Sequence, residues 1–179
     1  EKDPSWSPDG RRITFSSDRL APVVLRPQRH EAGFGRYGIF ELDLATGQPR
    51  SFCRSSTWNV LSLAFHPDGM TLAAGYRPDV WLWDVMSGHP LIQLTKAYGD
   101  DVRALAIDDS GRRLLSGSVE TGSRPAVGLW ELSLQRGVHA LRGLGSGVKR
   151  VWFSPTNNFL AALANDWHVG IWEVPTGRL

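Results

Sequence analysis

The segment Gly143-Leu144-Gly145-Ser146-Gly147-Val148-Lys149 has the glycines and the lysine that a phosphate cradle needs. Glycine lets backbone N–H groups converge on an anion, and a lysine adds charge. The spacing is not that of a P-loop, and the residues after it predict a strand where that chemistry requires a helix N-terminus. A turn joining two repeated units is the better reading. Other constellations fail in the same way. There is no Gly-x-Ser-x-Gly elbow. His30, His66, His89, His139 and His168 stand in different local contexts, none in a paired metal-ligand spacing. Asp100-Asp101 and Asp108-Asp109 are adjacent pairs near strand ends, and neighbouring strand residues point to opposite faces. Neither pair makes an acid/base dyad, and both read as solvated turn residues. The expectation is a non-enzyme with no catalytic residue, no metal site and no cofactor.

Binding chemistry is better represented. Arg26, Arg29, Trp58, Arg77, Tyr98, Arg124 and Trp167 all fall in segments that read as loops. Trp, Tyr and Arg are over-represented at interface hot spots, and arginines suit an acidic partner surface. Taken singly, each reads as well as a residue packing on the rim of a scaffold. What that scaffold is follows from the repeats.

Leu82-Trp83-Asp84, Leu129-Trp130-Glu131 and Ile171-Trp172-Glu173 recur in one frame, the tryptophans 47 and 42 residues apart, and Leu42-Asp43 fills the slot 41 residues before Trp83. A repeat of this length marks a stacked architecture. Upstream of each lies a turn: Trp6-Ser7-Pro8-Asp9-Gly10, Phe65-His66-Pro67-Asp68-Gly69, Ile107-Asp108-Asp109-Ser110-Gly111 and Phe153-Ser154-Pro155-Thr156-Asn157. Pro presets φ, Asp bonds nearby backbone, and Gly or Asn accepts positive φ. Apolar runs on both sides make each turn a hairpin. Ala45-Thr46-Gly47, Met86-Ser87-Gly88 and Pro175-Thr176-Gly177 close units, with Arg136-Gly137 as a longer version.

The predicted strands are short and evenly spaced, and no window sustains a helical period. They are Asp3–Ser7, Arg11–Ser16, Tyr37–Leu44 and Gln48–Cys53; Val60–His66, Met70–Tyr76, Asp79–Val85 and Pro90–Lys96; Val102–Asp108, Arg112–Ser118, Ala126–Leu132 and Gly137–Gly143; and Val148–Ser154, Phe159–Asn165 and Val169–Val174. Four antiparallel strands per unit predict an all-β fold, a β-propeller of about four four-stranded blades forming part of a larger ring. The blades run over about 1–53, 54–96, 97–143 and 144–179, the last incomplete. Trp83, Trp130 and Trp172 are expected in the core, with Trp6 and Trp152 at the ends of innermost strands also core. Trp81 should fill volume between blades.

The last three units resemble WD40 repeats. Asn165-Asp166-Trp167-His168-Val169-Gly170-Ile171-Trp172-Glu173 fits that family's Asp six residues before the Trp, and the resemblance implies a structural, hydrogen-bonding role for Asp166. Ser116-Gly117-Ser118 resembles the family's second-strand ending. The first unit, from Pro4-Ser5-Trp6-Ser7-Pro8-Asp9-Gly10 through Arg19, is more similar to a TolB-type propeller repeat. The family's Gly-His before the innermost strand is absent, replaced by Trp58-Asn59, Gly99-Asp100 and Ser146-Gly147. Its Trp–Ser/Thr–His–Asp hydrogen-bond set is therefore incomplete in every unit.

The chain has 179 residues, 41% hydrophobic and 21% charged, with a net charge of +2. That is ordinary globular composition. So small a charge argues against a nucleic-acid partner, and no apolar run is long enough to span a membrane. Cys53 stands alone, which excludes an internal disulfide. The sequence starts inside a repeat and stops where a strand is due, so a segment of a longer cytoplasmic protein is expected, its remaining blades among the partners. Two insertions, about 17–36 and 119–125, fall on one rim. The larger holds Arg19, Arg26, Arg29 and Arg36 against Asp18 and Glu31. It reads either as a docking loop or as a disordered or self-packing insertion. Two function classes follow: a protein–protein interaction scaffold, such as a bacterial signalling propeller, or the accessory gating propeller of a prolyl-oligopeptidase-like hydrolase.

Overall fold

The structure is a computed structural model that describes residues 2–17, 38–54, 60–94, 101–119, 126–132, 136–141 and 143–174. Within them lie fifteen strands and no helix. The first sheet is β1 (Lys2–Trp6), β2 (Arg12–Ser17), β3 (Gly38–Asp43) and β4 (Pro49–Arg54). The second is β5 (Ser62–Phe65), β6 (Thr71–Gly75), β7 (Val80–Asp84) and β8 (Pro90–Leu94). The third is β9 (Val102–Ile107), β10 (Arg113–Ser118), β11 (Val127–Glu131) and β12 (Arg136–Leu141); the fourth is β13 (Val148–Phe153), β14 (Phe159–Ala164) and β15 (Val169–Glu173). Each sheet is an antiparallel meander in chain order. The sheets pack in sequence, β1 on β5, β5 on β9 and β9 on β13. First strands of all four line one cavity, which marks the axis of a partial propeller ring.

The turn residues act as their chemistry dictates. Gly10, Gly69, Gly111 and Asn157, in register along the repeat, all have φ between 57° and 71°. This left-handed region costs a side chain energy unless the residue is Gly or Asn. Asp43, Asp68 and Asp84 accept backbone N–H groups two or three residues on and so close their own turns.

Three seams hold the sheets together. The slot residues Leu42, Trp83, Trp130 and Trp172 lie opposite Ile13, Leu72, Leu114 and Leu160. Trp130 and Leu114 pack with Ala64, Ala73, Val80 and Leu82 of the second sheet. Leu115, Val127 and Leu129 pack with Val148, Val151 and Leu160 of the fourth, with Trp172 half-buried against them. Each such fully buried side chain is worth about 1.5–3 kcal/mol, more than any exposed ion pair on the molecule. The sheets approach so closely that a Cβ at Gly117 would meet Val148 Cγ1 at 2.5 Å, and one at the equivalent Gly75 would meet the Val102 carbonyl oxygen at 2.8 Å.

The first seam is different. Ile39 packs with Phe65 and Leu72, but Thr14, Ser16 and Glu41 are buried beside it. Arg12 crosses this seam, donating to Glu41 at 3.4 Å and to the Gly69 carbonyl at 3.0 Å, with its guanidinium 5.9 Å from the Phe65 ring centroid.

Two expectations about the core need correction. Trp6 is 59% exposed and Trp152 is 43% exposed. By register Trp152 shares a face with Phe159, Ala161, Leu163, Val169 and Ile171, and that face of the fourth sheet is not packed on the third. Trp6 shares a face with Ile13 and Leu42, on the side of the first sheet away from the second. A strand end becomes core only where a neighbouring sheet covers its face. Asp108 is corrected in the other direction: it is buried, bonding the Ser110 hydroxyl and the Arg113 N–H. Trp81 behaves as expected, half-buried with its ring 6.1 Å from that of Trp83.

Candidate docking rim

Antiparallel meanders put alternate connections at opposite ends of the strands, so the ring has two rims. One carries the tight turns described above. On the other, the loops between second and third strands meet the segments that lead into the first strands. Val102 N–H donates to the Tyr76 carbonyl, Val119 N–H to that of Asp101, and Asn165 N–H to that of Gly147.

This second rim holds the described members of the predicted binding set. Arg77 is exposed in the loop between β6 and β7. Trp167 lies between β14 and β15, is 74% exposed, and has φ of 71°. The Lys149 ammonium sits 3.7 Å from its ring centroid, a cation–π contact. A bulky aromatic residue in left-handed backbone carries strain of about 1–3 kcal/mol, and such strain is most often found at functional positions. Arg26, Arg29, Trp58, Tyr98 and Arg124 fall outside the described residues, as do Glu120 and most of the larger insertion.

Asp166 supports this loop from outside the core. Its backbone N–H donates to Ser146 Oγ at 3.4 Å, and its carboxylate lies 3.1 Å from His168 Nδ1. Slight desolvation pushes its carboxyl up, but hydrogen bonds from His168 and Ser146 outweigh this and hold it below the ordinary carboxylate value. Ser146 thus contacts Asp166 from the place where the WD40 pattern has its Gly-His.

Sequence reasoning missed Arg103 and Arg150, and weighed Lys149 only as part of a phosphate cradle. The three line the axial cavity of about 370 Å³ where the first strands converge. Arg103 pairs with Asp101 at 3.1 Å on this rim. The signal was present: counted back from the turn residues Gly69, Gly111 and Asn157, Leu61, Arg103 and Lys149 occupy one repeat position. Among the described residues no cluster of His, Cys, Asp and Glu could hold a metal ion, and no helix is long and apolar enough to cross a membrane.

The family model of the WD domain, G-beta repeat, matches residues 47–84. The match begins just before β4 and ends with Trp83-Asp84, so the sequence repeat takes the outer strand of one sheet and three strands of the next. A chain from the crystal structure of a mitotic checkpoint complex superposes with a TM-score of 0.76 at 17% identity. The alignment covers 99% of this chain and 49% of that one, so the sequence spans about half the length of its structural relative. No curated protein matches the chain. Residues 47–84 match a WD40 repeat, and the chain as a whole has the fold of a β-propeller.

The WD40 framework explains the third sheet best. Trp130 Nε1 donates to Ser116 Oγ at 2.8 Å, and Ser116 in turn reaches the Gly128 carbonyl. That is the first link of the WD40 Trp–Ser/Thr set. In the second sheet Ala74 stands where Ser116 stands in the third, by register opposite Trp81 as Ser116 is opposite Gly128. Trp83 Nε1 is accordingly buried without a hydrogen-bond partner among the described residues.

Proposed function

We propose that this WD40 propeller is a non-catalytic protein–protein interaction module of a larger, signalling or scaffolding protein. The partner docks on the rim carrying Arg77 and Trp167, with Arg26, Arg29, Trp58, Tyr98 and Arg124 contributing from other loops expected on the same rim. The observation that carries the reading is Trp167, an exposed aromatic held in strained left-handed backbone above Lys149. A loop selected only for folding would place glycine there. The seams bury Trp130 and half-bury Trp83 and Trp172, and leave the loops of this rim to carry binding residues, the usual division of labour between scaffold and loops. Arginines on the rim suit a partner with an acidic surface.

A photo-cross-linking side chain at position 167, compared with one at Met86 on the opposite rim, tests this. Met86 is also well exposed, at 66% against 74% for Trp167. Specific capture of a partner from position 167 and not from 86 is expected. Equal capture from both, or capture from 86 alone, would overturn the reading.

A further inference from the structure

Every inner seam joins the same two kinds of face. In the second sheet, Ala73, Val80 and Leu82 turn toward the third sheet, where Leu114 and Trp130 receive them. In the third, the equivalent Leu115, Val127 and Leu129 turn toward the fourth, where Leu160 and Trp172 receive them. Each sheet thus has a leading face, toward the next sheet, and a trailing face, toward the one before. Two such faces stay open to solvent. The leading face of the fourth sheet carries Trp152, Phe159, Val169 and Ile171, all exposed. The trailing face of the first carries exposed Trp6 with Ile13, Phe15, Phe40 and Leu42.

The two open faces complement each other at two repeat positions. In the inner seams an alanine of the leading face, Ala64 or Ala106, packs in one cluster with the slot tryptophan of the next sheet, Trp130 or Trp172. By register Trp152 takes the place of Ala64 and Ala106, and Leu42 takes the place of the slot tryptophan. The large and small residues have changed sides, which conserves volume across a seam between these two faces. The second position lies nearer the axis. Gly75 and Gly117 make room for Val102 and Val148 of the next sheet, and Leu163 stands in the place of those glycines. Val60, Val102 and Val148 come five residues before Phe65, Ile107 and Phe153, whereas the first unit has Glu1 five residues before Trp6. No valine of the first unit is there to meet Leu163.

We infer that a second copy of this chain covers both faces. The leading face of the fourth sheet in each copy docks on the trailing face of the first sheet in the other, and two half-rings close into one. A sheet patterned on the second, third or fourth fits less well, because it brings a slot tryptophan onto Trp152 and a valine onto Leu163, and overpacking of that kind is destabilising. A head-to-tail contact either closes or grows into a filament. A face of three or four strands about 4.8 Å apart and about five residues long measures roughly 250–300 Å² in projection. One seam of that size falls well short of the about 800 Å² per partner of a stable interface, while two formed together by one pair of copies approach it. The chain spans about half the length of its structural relative, so two copies match its extent.

The test is sedimentation and light scattering on the 179-residue chain. The unaltered chain is expected at twice the mass of one copy, with no larger species as concentration rises. Trp152→Ala, which opens a void, and Leu42→Trp, which overpacks, should each raise the dimer dissociation constant about tenfold or more. The two changes in one chain restore the arrangement of the inner seams, and association should return. Trp6→Asp and Ile171→Asp, one on each face, should each give monomer, while Met86→Asp on the turn rim should leave the dimer intact. Circular dichroism should show the strand signature in every variant. A monomeric unaltered chain, growth into larger oligomers, or a double variant no better than its parents would each overturn the inference. So would a dimer broken by Ile171→Asp and untouched by Trp6→Asp, because the fourth sheet would then be packing on its own counterpart.

Discussion

Trp130 and Trp167 are the same residue type under opposite physical constraints. Trp130 is 6% exposed, sits in the seam between the second and third sheets, and has its indole N–H bonded to Ser116. Trp167 is 74% exposed on the rim, and its backbone is strained rather than its side chain satisfied. The first spends its apolar surface on holding the ring together. The second stabilises nothing comparable and offers its surface outward. The seam is scaffold, and on the proposed docking reading the rim is where binding can be varied without unfolding it.

The largest way to sharpen that contrast is Trp130→Ala. Truncating a buried aromatic typically costs about 3–5 kcal/mol, so the urea midpoint should drop steeply. A small change would mean the seam tolerates a cavity and the contrast is weak. Next is Ser116→Ala, which strands the Trp130 indole N–H; leaving a buried donor unpaired costs about 1–3 kcal/mol.

The second sheet offers the converse. Trp83 already lacks that partner because Ala74 occupies the serine's place. Ala74→Ser should supply it and raise stability by about 0.5–1.5 kcal/mol, the net worth of a typical hydrogen bond. A destabilised Ala74→Ser protein would show that the hydroxyl cannot reach the indole. On the rim the sign reverses again. Trp167→Gly removes the strained residue from left-handed backbone and loses the Lys149 contact, so stability should hold or rise by up to about 1 kcal/mol while partner capture falls. A clear loss of stability would make Trp167 a structural residue.

The smallest effect per group is acid titration of the turn rim. Asp84 is held below the ordinary 3.8 by the Ser87 hydroxyl and then its N–H. Asp43 is held low by the Thr46 N–H and hydroxyl. At Asp68 partial burial pushes the carboxyl up, and the Met70 and Thr71 donors outweigh it. Because the folded values are depressed, this stability is present above the unfolded pKa and is lost as pH falls through the folded one. Urea midpoints should stay level above the ordinary carboxylate range and decline below it. Asp84→Asn should flatten part of that decline.

Much of this is legible in the amino-acid sequence. The turn residues placed the hairpins because only Gly or Asn sits comfortably at positive φ, and the slot tryptophans set the frame. Trp6 and Trp152 were misjudged because a strand's own pattern does not say whether another sheet covers its face. Asp108 was misjudged because an acid beside a turn can be buried if backbone and hydroxyl donors satisfy it, as Arg113 and Ser110 do. Arg103 escaped notice, and Lys149 was read only with its glycine-rich segment, because a bulge breaks the alternation by which strand faces are read, although their shared repeat position was visible. Arg26, Arg29, Trp58, Tyr98 and Arg124 lie outside the described residues, so their placement rests on the sequence alone.

The central claim is that one rim binds and the other does not. Its most direct test is the yield of cross-linked or co-purified partner from a Trp167→Ala, Lys149→Ala protein against a Met70→Ala, Met86→Ala protein altered on the turn rim, with urea midpoints confirming that both are folded. The account predicts that the first loses its partner and the second keeps it. Retention by the first, or loss by the second alone, would contradict it.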